Sequence, residues 1–243
     1  MIDYTQFAFI FDMDGTLVDN MHFHTTAWGK MLAENGVEMN AHDFLVKTAG
    51  KTNREILPTV FGAISDERIL ELGNRKESLY QELFLPHRKA VDGAIEFLET
   101  AESLGIKMAV ASAAPNTNVE FILDGLDLRK FFAAVTTAED VINGKPHPEF
   151  FLKSAKKLGV EPKNSIVFED AIGGFKAAHR AGMKSIGIAT VNSIEIILQQ
   201  DSVVEAHQDF SQLNPQELIE KYFAVKSNSK LTVRSAKHSS HRK

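Results

Sequence analysis

At 243 residues, 44% of them hydrophobic and 24% charged, the chain can bury one large core and carry an insertion, and no apolar run in it approaches a membrane span. The lack of cysteine excludes disulfides and thiolate metal sites, and the opening MIDYTQ lacks the basic-then-apolar pattern of a secretory signal, so a cytoplasmic location is expected. The net charge of −5 is uneven: residues 224–243 hold Lys226, Lys230, Arg234, Lys237, Arg242 and Lys243 with no acid, leaving −11 for residues 1–223.

The first predicted element is a strand over Phe7–Phe11, which runs directly into Asp12 and Asp14. From there to about Arg88 the patterns are helical only: HTTAWGKMLAENG, the shorter NREILPTVFG and the long DERILELGNRKESLYQELF. A single crossover between strands needs far fewer residues. Residues 19–88 are therefore expected to form a helical domain inserted between the first two core strands, with connections near Asp19–Met21 and Pro86–Asp92. The core is then residues 1–18 and 89–223.

Beyond the insertion, DGAIEFLETAESLG predicts a helix with Ile95, Leu98, Ala101 and Leu104 on its inner face. Strand-length apolar runs follow at Lys107–Ala111, Ala133–Val135, Ile166–Phe168 and Ser185–Ala189. They are apolar throughout rather than alternating, as in strands covered on both faces. HPEFFLKSAKKLG and DAIGGFKAAHRAG are helices that each end at a glycine suited to a C-cap. Strand and helix in alternation predict an α/β fold: a Rossmann-like, doubly wound parallel sheet with an inserted α-helical cap. The Ser- and Lys-rich tail, 224–243, is expected to be disordered and solvated rather than to bind nucleic acid or a membrane.

In an open parallel sheet the ligand sits beyond the carboxyl ends of the strands. Asp12 and Asp14 follow the first strand, and Gly15 allows the chain to turn away sharply. Ser112 ends KMAVAS, ahead of AAPNTN, a loop leading to a helix N-terminus. Lys145 lies in INGKPHPEF, before a helix that could start at Pro148, and Glu169 and Asp170 end SIVFED. Crowded carboxylates need a cation to offset their repulsion, and hard oxygen ligands with room for water suit Mg²⁺. A hydroxyl, a helix N-terminus and a lysine suit a phosphate; Ser112, Ala113, Asn116 and Lys145 are the candidate contacts. One carboxylate can accept a phosphoryl group while its neighbour serves as acid and then base.

The ordered set DMDGT, Ser112, KPHP and FED resembles the haloacid dehalogenase superfamily of phosphotransferases, over residues 7 to about 223. The resemblance implies Asp12 as nucleophile, Asp14 as general acid/base, and Ser112 and Lys145 gripping the transferring phosphoryl group. It implies Mg²⁺ held by Asp12, the backbone carbonyl of Asp14 and Asp170, with Glu169 close by. The second acid, Asp14, is what the dehalogenases themselves lack. The insertion resembles the cap of the β-phosphoglucomutase-like branch, matched by HTTAW, GKTNRE and RKESLY. His24 and Lys76 would then face the acid/base region, with Gly50, Lys51 and Arg54 toward the substrate. Where mutases of this branch often carry a basic residue after the serine, this chain has Pro115, and it reads DGT as the branch's phosphatases do.

The expected activity is Mg²⁺-dependent hydrolysis of a small phosphorylated metabolite, with a hexose phosphate mutase as the alternative and a non-catalytic phosphate sensor as the distant one. Neither nucleic acid nor membrane is expected as a partner, and a monomer is the default. As competing readings, His24 suits a buried hydrogen-bonded histidine, Arg54 and Lys76 suit solvated helix charges, and Trp28 suits the core.

Overall fold

The computed structural model describes residues 2–38 and 40–223, so the expectations attached to the basic tail lie outside the described residues. Strand β1 (Ala8–Phe11) is wholly buried at the centre of a six-stranded sheet ordered β3-β2-β1-β4-β5-β6. The others are β2 (Lys107–Ala111), β3 (Ala134–Thr136), β4 (Ser165–Glu169), β5 (Lys184–Ile188) and β6 (Val203–His207), and every pairing is parallel. Phe11 lies opposite Val110 on β2 and Phe168 on β4. That register brings the residues following all three strands to one edge of the sheet.

Side chains alternate across the sheet, which explains the uninterrupted apolar runs. On one face Phe9, Phe11 and Phe168 meet Phe97 and Phe210, with the Phe11 and Phe168 rings stacked 4.6 Å apart. On the other, Ala8, Ile10 and Val167 pack against Phe150 and Phe151. Helix α5 (Ala94–Ser103) buries Ala94, Phe97, Leu98 and Ala101, whereas Ile95 is 41% exposed. Leu98 and Ala101 face inward as expected and Leu104 packs partly buried against the core; Ile95 does not, because the large Phe97 ring fills the aromatic cluster in its place. Helix α7 (Glu149–Leu158) starts after Pro148 and ends at Gly159 in the left-handed conformation. Helix α8 (Ile172–Arg180) follows β4.

Four helices fill the stretch where no strand was expected: α1 (Met21–Glu34), α2 (Ala41–Thr48), α3 (Asn53–Phe61) and α4 (Asp66–Phe84). α1 packs on α4 through Trp28, Met31, Leu32, Leu72 and Leu79. Trp28 is core, edge-on to Phe44. Ser65 caps α4 by accepting the Arg68 N–H, and a Thr52/Glu55 capping box starts α3. Helix α6 (Asn116–Leu123) follows β2 and packs on α4. α2 and β6 have no counterpart among the expected elements. β6 is a half-buried edge strand whose VVEAH mixes charge with apolar residues. Among the described residues no helix is long and apolar enough to cross a membrane.

Replacing Phe168 by Ala removes a fully buried ring from the centre of this cluster. A loss of about 3–5 kcal/mol is expected, read from the urea midpoint of the variant against wild type.

Candidate active site

Three carboxylates and one ammonium meet beyond β1 and β4. Asp12 extends the ladder, its N–H donating to the Phe168 carbonyl at 2.9 Å. The buried Lys145 donates to Asp12 and, at 2.6 Å, to Glu169. The second Glu169 oxygen accepts the N–H groups of Asp170 and Ala171, at 2.8 and 2.7 Å, at the start of α8. Asp170 accepts from Thr16 Oγ1 at 3.1 Å, and its carbonyl accepts from Asn192. Two glycines make room for these groups. A Cβ on Gly15, which has φ +85°, would lie 2.3 Å from an Asp170 oxygen, and one on Gly174 would lie 1.8 Å from Glu169. Only glycine fits at either position.

Oxygens of Asp12, Glu169 and Asp170 lie within 4.8 Å of one another, all buried. One ammonium cannot neutralise three acids. Burial, together with Glu169 and Asp14, raises Asp12 to about 8 against the opposing pull of Lys145. Burial, with Glu169 and Asp12, holds Asp170 well above the ordinary carboxylate range. The same attraction of the acids raises Lys145, against burial. A hard, oxygen-only donor set with unmet negative charge fits a divalent cation such as Mg²⁺.

The Asp14 side chain turns the other way. Its Oδ1 accepts from Asn20 Nδ2 at 2.6 Å and faces His24 Nε2 at 3.3 Å. Lys76 Nζ lies 2.8 Å from His24 Nδ1. An ammonium only donates, so Nδ1 accepts, and the neutral ring carries its proton on Nε2, toward Asp14. Tyr80 stacks on His24 with centroids 3.7 Å apart and accepts from Asn20. Burial alone would raise Asp14, but His24, Asn20 and Lys76 outweigh it and hold the carboxyl below 3.8. Behind Lys76 lies Glu77, buried on the same helix, which also accepts from Asn53 and Asn118.

Ser112 is buried one residue past β2, on the edge where Asp12 emerges, with its Oγ accepting the Ala114 N–H at 3.1 Å. Ala113, next to it, is half-buried. Asn116 is exposed, its N–H donating to Glu139. The Gly50 carbonyl accepts the Lys145 N–H at 3.0 Å, and Glu55 accepts the Gly144 N–H at 3.0 Å, joining the helical insertion to the loop that carries Lys145. Lys51 is half-buried beside Gly50. Arg54 is not brought to the acidic cluster: it is exposed and pairs with Asp66 at 2.8 Å. Asn20, Glu55, Tyr80, Glu77 and Asn118 escaped the sequence reading. The Asn following the first loop and the acid following Lys76 were the available signals, but neither residue type is distinctive alone.

The profile of the haloacid dehalogenase-like hydrolases matches residues 9–188, a span that contains every residue of this cluster. The chain belongs to that family. Within the family it is 35% identical over 182 residues to a phosphorylated carbohydrates phosphatase of Thermotoga maritima, covering 74% of this chain and 83% of that protein. It is 34% identical over 203 residues to a β-phosphoglucomutase of Mycobacterium bovis, covering 72% and 77%. A solved β-phosphoglucomutase structure from Clostridium difficile superposes with a TM-score of 0.77 at 30% identity, covering 91% of this chain and 97% of that one. The chain is thus a haloacid dehalogenase-type phosphatase or phosphotransferase, with a small phosphorylated substrate.

Burial raises Glu77, but Lys76 and Asn53 outweigh it, so the folded carboxyl titrates below its ordinary 4.5. Its ionised form therefore adds stability that is complete above that value and is lost as pH falls through the folded pKa. Between about pH 6 and about pH 3, wild type should lose its stability advantage over Glu77→Gln. Urea midpoints of both proteins across that range measure the difference.

Proposed function

We propose that the chain is a Mg²⁺-dependent phosphatase that hydrolyses a small phosphate monoester, a sugar phosphate, through a phosphoryl group carried on Asp12. In the first half-reaction an Asp12 oxygen forms a bond to phosphorus, the ester P–O bond breaks, and the leaving alkoxide takes a proton from Asp14. In the second, Asp14 takes a proton from water, the water oxygen bonds to phosphorus, and the bond to Asp12 breaks. Lys145 and Ser112 hold the equatorial oxygens, supplying charge and a hydrogen bond where the transition state needs them. Asp12, Asp170 and the Asp14 carbonyl, with Glu169 beside them, would hold Mg²⁺, which supplies further neutralisation of the transferring group.

The observation that carries this reading is the division of labour between two neighbouring aspartates. Asp12 faces Lys145 inside the acidic cluster, whereas Asp14 is turned out of it onto His24 and Asn20. One is ready to receive phosphorus and the other to exchange a proton. The helical insertion serves as a cap, with His24 and Lys76 backing Asp14 and with Gly50 and Lys51 toward the substrate. The phosphatase relative and the missing basic residue at Pro115 support hydrolysis. The relatives named β-phosphoglucomutase support a second reading, in which a sugar hydroxyl replaces water as acceptor of the same phosphoryl group.

Against a panel of sugar and polyol phosphates, free phosphate should form with Mg²⁺ and cease with EDTA. Asp12→Asn should lose about 10³-fold or more in kcat, and Asp14→Asn about 10²–10⁴-fold, with melting temperatures close to wild type. Isomerised sugar phosphate outpacing free phosphate would favour the mutase. Turnover undiminished in Asp12→Asn would remove the mechanism altogether.

A further inference from the structure

Lys76 lies behind His24, which contacts Asp14, the residue proposed to protonate the leaving group. A cation at that place would ordinarily attract a second anionic group on the substrate. Here its three N–H bonds are already directed inward, to His24 Nδ1 at 2.8 Å and to the two Glu77 oxygens at 2.9 and 3.1 Å. It is 4% exposed, lies over the Trp28 and Tyr80 rings, and has no donor left for a ligand. Glu77 is held as firmly, accepting from Asn53 on α3 at 2.7 Å and from Asn118 on α6 at 2.6 Å. Asn118 is in turn fixed by Gln81, whose Nε2 donates to its side-chain Oδ1 at 2.8 Å. With a neutral imidazole and Asp14 carrying the proton it gives to the leaving group, Lys76 and Glu77 cancel and this cluster offers the leaving group no net positive charge.

Two other candidate anion contacts are filled in the same way. The first N–H of α6, on Asn116, donates to both oxygens of Glu139 at 3.2 Å. Arg54 is paired with Asp66. The loop Ala113–Pro115 carries no cation. Of Lys51, Arg54 and Lys76, only Lys51 is without an ion pair among the described residues.

We propose that Glu77, by consuming the ammonium of Lys76, restricts this site to phosphate esters whose leaving group bears no second anion: monophosphates of neutral sugars or polyols rather than bisphosphates. The proposal rests on the phosphatase reading and deepens it. Glu77 is a specificity-determining residue that touches no substrate and acts through Lys76. Neutralising it exposes a second phosphate to an uncompensated lysine instead of a neutral ion pair.

The test compares wild type with Glu77→Gln, which keeps a similar shape and removes the charge. From the phosphate panel, the best monophosphate is paired with the bisphosphate of the same sugar, and kcat and KM are measured for each, with melting curves alongside. Wild type should prefer the monophosphate by roughly tenfold or more in kcat/KM, and Glu77→Gln should raise the bisphosphate-to-monophosphate ratio by roughly tenfold through a lower bisphosphate KM. A purely structural Glu77 would lower kcat/KM for both esters together and leave the ratio unchanged, which overturns the proposal. Equal use of both esters by wild type overturns it too, and that measurement decides the matter if the variant does not fold. Absence of Mg²⁺-dependent turnover of any monophosphate sinks the phosphatase reading itself, and this proposal with it.

Discussion

The mutual repulsion of carboxylates at the end of two adjacent buried strands governs this molecule. β1 and β4 are paired in register from Ala8 opposite Ser165 to Phe11 opposite Phe168. Asp12 and Glu169 therefore leave the sheet side by side, with Asp170 next in line. Such a cluster in an apolar surrounding is unfavourable unless cations offset it. Lys145 supplies one positive charge, and the oxygen donor set leaves a place for a divalent ion. Beneath it, the fully buried aromatic cluster packs on both strands.

Lys145 comes from a loop far along the chain, and that loop is held from two sides. Its ammonium is fixed by the acids, and its backbone by Gly50 and Glu55 of the helical insertion. The insertion and the sheet thus share the lysine that pairs with Asp12. A second network crosses the same boundary, from Asp14 through His24, Lys76 and Glu77 to Asn118 on the sheet side. Its charges alternate, so each member is satisfied in a region too dry to hold any of them alone. Chemistry at Asp14 and placement of the insertion become parts of one arrangement.

Much of this was legible in the residues. The strand ends Asp12, Ser112 and Glu169 were readable because a buried parallel strand is a continuous apolar run, and a polar residue that stops it marks the ligand edge. The helical stretch between the first two strands was readable from its length and from the absence of strand patterns. Other features were not. β6 is half-exposed and partly charged, so its five residues look like a loop. On α5 only Ile95 departs from the expected face, because helical periodicity leaves a neighbouring phase open and the Phe97 contacts choose between them.

By itself the sequence determined which residue types stand at the strand ends, and hence the doubly wound sheet and the phosphoryl-transfer chemistry, since both follow from local patterns of burial and polarity. Tertiary structure alone decided what each charge is paired with. Lys76 and Glu77 are consecutive on a helix, a spacing that does not ordinarily bring side chains face to face. They pair because Asn53, Asn118 and His24, contributed by three other helices, surround them away from water. Burial and partners at long sequence separation set the strength of an ionic contact, and neither is written in the adjacent residues.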